Sequence, residues 1–137
     1  MSAIRIAVVV RVRPLLQTEI DRKHTQSSLI VDEKDKEIKT SGEGKSQKVW
    51  TFDKVFAQSS SQEAFFNSTK TDDLIDKVLE GYNATMFAYG QTGSGKTYTL
   101  EGYDYQVTEK SVRPIIPKDQ ADARIGVIPR AVNYLFQ

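Results

Sequence analysis

The sequence predicts an α/β fold: a central sheet of buried strands, helices flanking it, and a small antiparallel β appendage. Three observations predict it. Residues 4–12 are rich in β-branched side chains, and their centre, Ile6-Ala7-Val8-Val9-Val10, is continuously apolar; such a run reads as a strand buried on both faces in a parallel sheet. Residues 84–89, Ala-Thr-Met-Phe-Ala-Tyr, form a second short and mostly apolar run. Between them, residues 62–80 read as helical, with Phe65, Phe66, Leu74, Ile75, Val78 and Leu79 on the buried side.

In chain order, Pro14 ends the first strand because proline cannot donate to a ladder. Residues 15–48 are polar and weakly patterned; Leu29-Ile30-Val31 and Glu37-Ile38-Lys39 read as short strands, with a turn or loop at 41–46. With Val49-Trp50-Thr51-Phe52 they make the appendage, and Phe52, Val55 and Phe56 return the chain to the core. Ser60 with Glu63 three positions on fits a capping box ahead of the long helix. Residues 67–73 lack apolar side chains at helical spacing, which allows a kink, and Gly81 is a natural stop. The strand at 84–89 runs straight into Gly90, and a helix is expected from about Gly95, interrupted early by Gly102. Residues 103–124 are polar and carry Pro114 and Pro117, so they read as a surface insertion. Val127, Ile128, Val132, Leu135 and Phe136 resume a helical pattern near Pro129.

Bulk properties narrow the class. The 137 residues fit one modest domain. Lys plus Arg number 19 and Asp plus Glu 18, a formal net charge of +1, which offers no support for nucleic-acid or anionic-membrane affinity. There is no cysteine, so disulfides and thiolate metal sites are excluded. The longest apolar run is too short to span a bilayer, and the N-terminus lacks a signal-peptide layout. A cytosolic location without nucleic-acid or membrane partners is the expectation. His24, the single histidine, stands among polar residues and reads as a surface side chain.

The chemistry lies in Gly90-Gln91-Thr92-Gly93-Ser94-Gly95-Lys96-Thr97. This Gly-x4-Gly-Lys-Thr pattern is that of a phosphate-binding loop. Its glycines let backbone amides wrap phosphate oxygens, and the following helix aims its positive end at the same anion. Lys96 is placed to reach the β- and γ-phosphates, and the Thr97 hydroxyl to ligate Mg²⁺. A random chain of this length matches the pattern about 0.5% of the time. Hydrolysis further requires an acidic Mg²⁺ site and a group that orients the attacking water. No acid in these residues follows a buried core strand, so the chain carries half of a triphosphatase site.

Residues 80–102, Glu-Gly-Tyr-Asn-Ala-Thr-Met-Phe-Ala-Tyr-Gly-Gln-Thr-Gly-Ser-Gly-Lys-Thr-Tyr-Thr-Leu-Glu-Gly, resemble the phosphate-loop region of the kinesins. Three more blocks match in order: Val10-Arg11-Val12-Arg13-Pro14, Phe52-Asp53-Lys54-Val55-Phe56 and Gly126-Val127-Ile128-Pro129-Arg130. The resemblance spans residues 4–137 and implies the N-terminal portion, residues 1–137, of a single kinesin-like motor domain, with 15–48 holding the β appendage and 103–124 the insertion. It implies that Arg11 and Pro14 flank an adenine, that Tyr82 and Tyr98 lie near the ring, and that Gly90 to Thr97 bind ATP or ADP with Mg²⁺ on Thr97. Lys96 would act catalytically, steadying charge in the transition state. The parent would be a cytoplasmic, cytoskeletal ATPase moving on microtubules (tubulin), with a stalk outside these residues available for dimerisation. On the residues alone, Arg11 is equally a surface charge, Pro14 a strand terminator, and the two tyrosines core-edge aromatics. Arg13 reads as structural. The insertion corresponds to a kinesin loop of variable length that shapes an inhibitor pocket in some mitotic members; here a solvated loop with its own small cluster is the favoured reading.

Departures from the family bear on function. Ala84 stands where glycine is common, and the segment 62–80 is about one residue longer than usual, which calls for a bulge or kink. The family's switch motifs, of Asn-x-x-Ser-Ser-Arg-Ser-His and Asp-Leu-Ala-Gly type, do not occur in these residues, nor do its main microtubule-binding helix and neck linker. The resemblance therefore leaves two expectations: the Mg·ATP-binding part of a microtubule motor, or a non-catalytic nucleotide-binding or interaction fragment. A different phosphate-loop triphosphatase, such as a GTPase, is disfavoured by the Arg-x-Arg-Pro block and the aromatic before the loop.

Overall fold

The β-branched run beginning the chain pairs in parallel with the segment after the appendage. In this computed structural model, which describes residues 6–22, 29–42, 45–108, 111–115 and 123–136, the chain falls into two units, Met1–Ser60 and Ser61–Gln137. The first contains β1 (Val9–Arg11), α1 (Gln17–Asp21), β2 (Leu29–Asp32), β3 (Glu37–Gly42), β4 (Lys45–Thr51) and β5 (Lys54–Phe56).

β1 and β5 are parallel, with Val10 opposite Val55 and Arg11 opposite Phe56. The pairing is extended by Val12 N–H donating to the Phe56 carbonyl at 2.9 Å. At its start the Val8 amide donates to the Asp53 carboxylate at 2.8 Å. Val55 is 2% exposed, and Phe56 and Ile38 are also buried. The first strand is shorter and more open than the sequence predicts: Ile6 is 72% and Val8 50% exposed. Both-face burial needs covering layers, and in this unit the ladder partner is a single three-residue strand. Residues 4 and 5 lie outside the described residues, as does His24.

β2, β3 and β4 form an antiparallel meander in that order, with Val31 opposite Ile38 and Ile38 opposite Trp50. Strand structure reaches through Gly42 and restarts at Lys45, so the expected loop at 41–46 is mostly ladder; residues 43 and 44 lie outside the described residues. α1 escaped the sequence reading. It is held by Glu19, which accepts from the Leu16 amide at 2.8 Å and from both ends of the Arg13 guanidinium fork at 2.8 and 2.6 Å. Arg13 also donates to the Pro14 carbonyl at 2.8 Å, a structural role as expected. The hydrogen bond to Glu19 raises the Arg13 pKa, as an anion stabilises the cation beside it.

The second unit contains α2 (Gln62–Ser68), α3 (Thr71–Leu79), α4 (Lys96–Leu100), β6 (Asp104–Thr108), β7 (Ser111–Ile115) and α5 (Val127–Leu135). The N-cap of α2 is Ser61, whose hydroxyl accepts from the Ala64 amide at 3.0 Å, not Ser60; with three serines in a row, sequence places such a cap only to within a residue. The long helix breaks between α2 and α3, inside the stretch read as permitting a kink. Thr69 donates its hydroxyl to the Phe65 carbonyl at 2.9 Å, and Lys70 takes a left-handed conformation with φ 53°. A break absorbs an extra residue without moving the helices' apolar faces.

Lys70→Gly should therefore stabilise this unit by about 0.5–1 kcal/mol, because glycine enters that backbone region without Cβ strain. The ion pair it sacrifices, Lys70 to Asp73 at 3.5 Å, is exposed and contributes little. Thermal melts of Lys70→Gly and Lys70→Ala check this; a gain with alanine equal to that with glycine would count against the strain.

Gly81 ends α3 as expected, at φ 96°. Its amide donates to the Val78 carbonyl at 3.0 Å and the Tyr82 amide to the Lys77 carbonyl at 2.9 Å, a Schellman closure. Phe65 and Phe66 are buried as predicted, but Leu74, Val78 and Leu79 are exposed. On α5, Val127 is buried while Ile128, Val132, Leu135 and Phe136 are exposed. Both helices are amphipathic, but among the described residues of this unit no sheet covers their outer apolar stripes.

The segment 84–89 is the main correction to the sequence reading. It forms no strand, and Phe87 and Tyr89 are 74% and 95% exposed. An apolar strand is stabilised by ladder partners and covering layers, and among the described residues none pairs with it. The insertion, in contrast, has structure of its own: β6 and β7 form an antiparallel hairpin with Val107 opposite Val112. Residues 116–122 lie outside the described residues.

Candidate phosphate site

The glycine-rich segment folds as a tight loop closed onto the N-terminus of α4. Gly93 and Gly95 take left-handed φ angles of 79° and 96°, which glycine adopts without penalty. Ser94 N–H donates to the Gln91 carbonyl at 3.1 Å, turning the chain back on itself. At Gly90 a Cβ would crowd the Ser94 side chain, 2.4 Å from its hydroxyl oxygen, and the hydroxyl would have to rotate aside. Gly95 caps α4, and its carbonyl accepts from the Thr99 amide at 2.9 Å. The first amides of that helix have no carbonyl one turn back to bond.

Lys96 closes the loop. Its Nζ donates to the Gly90 carbonyl at 2.8 Å and the Gln91 carbonyl at 2.9 Å. The ammonium is thus held against the loop's own backbone. Thr97, next on α4, is exposed. A small helix-capped loop of glycines that holds one lysine ammonium against its own backbone has the parts a polyphosphate calls for: a tightly turning backbone, a helix N-terminus and one positive charge. Thr97 supplies one hydroxyl, matching the few protein ligands Mg²⁺ takes.

The base-contact candidates divide between the units. Tyr98 follows Thr97 on α4 and is exposed, and its carbonyl accepts from Gln62 Nε2 at 2.6 Å. Tyr82 is exposed beneath the Lys77 ammonium, 5.8 Å from ring centre to Nζ. Arg11 and Pro14 belong to the first unit. Arg11 Nη2 donates to the Ser60 carbonyl at 3.1 Å.

The sequence reading missed what fixes the exit of α4. Gln62 is 2% exposed and its amide bridges the Tyr98 and Arg124 carbonyls, the second at 3.0 Å. Gly102 at φ 75° and Gly126 let two backbones pass: a Cβ on Gly102 would lie 2.0 Å from the Arg124 carbonyl oxygen. The Gly126 amide donates to the Glu101 carbonyl at 3.0 Å. The two glycines were visible in sequence as a helix breaker and a family-motif residue; their mutual approach was not. No sequence signal distinguished Gln62 from a solvent-facing helix residue.

The loop and the helix that follows it have the form of a phosphate-binding loop. Residues 11–137 match the family model for the kinesin motor domain, and the chain belongs to that family. It is 38% identical over 133 residues to Kinesin-like protein KIN-5B of Oryza sativa subsp. japonica, covering 96% of this chain and 12% of that protein. It is 40% identical over 137 residues to Kinesin-like protein KIF27 of Rattus norvegicus, covering 100% of this chain and 8% of the relative. Kinesin-related protein 13 of Dictyostelium discoideum is 37% identical over 132 residues, 96% of this chain and 9% of the relative. The chain thus spans about a tenth of the length of the relatives it matches. Among the described residues, no helix is long and apolar enough to cross a membrane.

Proposed function

We propose that these residues are the Mg·ATP-binding part of a microtubule motor that hydrolyses ATP to move. The observation that carries it is the loop at 90–97, with Lys96 held against its backbone carbonyls, in a chain of the kinesin motor-domain family. In this reading Lys96 exchanges its two carbonyl partners for β- and γ-phosphate oxygens and steadies charge as the terminal bond breaks. Backbone amides of Gln91, Thr92, Gly93, Ser94, Gly95 and Thr97 orient the phosphates. The Thr97 hydroxyl would be the protein ligand to Mg²⁺, which when bound would supply neutralisation of phosphate charge. Tyr98 and Tyr82 offer flat faces to adenine, with Arg11 and Pro14 as the remaining rim. ADP occupies the same residues after hydrolysis.

The isolated chain is a nucleotide-binding fragment without motor activity. The reasons are the missing switch motifs and the unpaired segment 84–89 leading into the loop. Steady-state ATPase measurements on the 137-residue chain, with and without microtubules, should give no stimulation. Robust stimulation would overturn the fragment reading and place the hydrolytic groups within these residues.

A further inference from the structure

The turn joining β2 to β3 is tied to the turn after β5, where the Ser60 carbonyl accepts from Arg11. Glu33, the first residue of the β2–β3 turn, accepts two hydrogen bonds on one carboxylate oxygen: from the Ala57 amide at 2.5 Å and the Ser60 hydroxyl at 2.8 Å. These contacts span 24 and 27 positions of sequence and fix the turn that follows β5. The carbonyl of that same Ser60 accepts from Arg11 Nη2 at 3.1 Å. Arg11 sits at the end of β1, paired with Phe56 at the end of β5. One carboxylate therefore sets the position of the oxygen that holds the guanidinium. The Ala57 amide, followed by the Ser60 hydroxyl, holds the Glu33 carboxyl below the usual carboxylate range, so the contacts engage the charged form.

We propose that Glu33 is a positioning residue for Arg11: through Ala57 and Ser60 it fixes the carbonyl that orients the guanidinium for contact with the base of an adenine nucleotide. The proposal rests on the reading of Arg11 as an adenine contact. Glu33 touches no nucleotide and acts on base affinity, not phosphate affinity.

Two readouts on the ¹⁵N-labelled chain separate the steps. The first is the Arg11 side-chain resonance, assigned with Arg11→Lys. The second is affinity for ADP set against affinity for inorganic tripolyphosphate, which lacks a base. Glu33→Ala should move the Arg11 resonance and weaken ADP about fivefold, the equivalent of one lost hydrogen bond, with tripolyphosphate unchanged. Ser60→Ala, which leaves the carbonyl in place and is mild for folding, should shift both in the same direction by less. Glu33→Gln, which keeps an acceptor for the Ala57 amide, should restore part of the loss. An unmoved Arg11 resonance with an unchanged ADP-to-tripolyphosphate ratio in Glu33→Ala and Ser60→Ala would overturn the proposal, as would equal weakening of both ligands. Arg11→Ala with undiminished ADP affinity would instead fail the adenine reading; the Arg11 resonance then still decides whether Glu33 holds the guanidinium.

Discussion

Replacing Lys96 by alanine is expected to weaken Mg·ATP binding by about 10- to 100-fold, the loss of charge-assisted hydrogen bonds to phosphate. Lys96 is the cation that the loop itself holds, through the Gly90 and Gln91 carbonyls at 2.8 and 2.9 Å. Those carbonyls lie at the loop surface, where water replaces the ammonium in the variant, so the fold should survive. A melting temperature close to that of the parent chain, together with the lost affinity, is the expected pair of results from calorimetric titration and thermal melting. Lys96→Arg should recover only part of the affinity, since the guanidinium fork is larger and differently shaped from a compact ammonium. In a longer protein that supplies the switch segments, the same change should lower turnover by about 10²–10³-fold, as removal of a group aimed at developing charge does. Wild-type affinity in Lys96→Ala would mean the loop does not grip phosphate through this side chain.

The largest stability effect should come from Gly102→Ala. Two penalties combine there. The backbone sits at φ 75°, where a Cβ is strained by about 1–2 kcal/mol. The Cβ also runs into backbone, 2.0 Å from the Arg124 carbonyl oxygen and 2.4 Å from the Gly126 nitrogen. Backbone cannot rotate aside as a side chain can, so overpacking adds about 1–3 kcal/mol. Together they should destabilise the second unit by about 2–5 kcal/mol and pull away the carbonyl that Gln62 holds at 3.0 Å. Gly81→Ala is the matched control: its φ is 96° but nothing lies within 4 Å of the added Cβ, so only the strain of about 1–2 kcal/mol applies. Denaturant melts of the two variants should differ clearly. Equal losses would show that the crossing of residues 102 and 126 is looser than described.

The parts of the fold legible in sequence are those dictated locally. Glycines needing positive φ marked the loop and the stop of α3, and the polar stretch at 67–73 marked the helix break. The β-strands of the appendage showed as short β-branched runs. What escaped depends on distant partners. Residues 84–89 look like a core strand, yet strand structure requires a neighbour, and none pairs with them here. The exposed apolar stripes on α3 and α5 fail for the same reason: periodicity states which face can be buried, not whether anything covers it. Gln62 and Glu33 are ordinary polar residues in sequence; only the fold shows that one bridges two carbonyls and the other ties a turn 24 residues away. At the candidate site, the turn of the loop at 90–97 and the helix after it were readable because the pattern occupies eight consecutive residues. The proposed base contacts, Arg11, Pro14, Tyr82 and Tyr98, are scattered along the chain and have no spacing rule of their own.

The central claim is that residues 90–97 hold the phosphates of a nucleotide. Titrating the ¹⁵N-labelled 137-residue chain with Mg·ADP and following its amide resonances tests this most directly. The account predicts saturable shifts concentrated at Gly90 to Tyr98, with the same loop amides moving for tripolyphosphate and saturation in the Lys96→Ala variant displaced to about 10- to 100-fold higher concentration. Shifts absent from that loop, or saturating at the same concentration in Lys96→Ala, would contradict it.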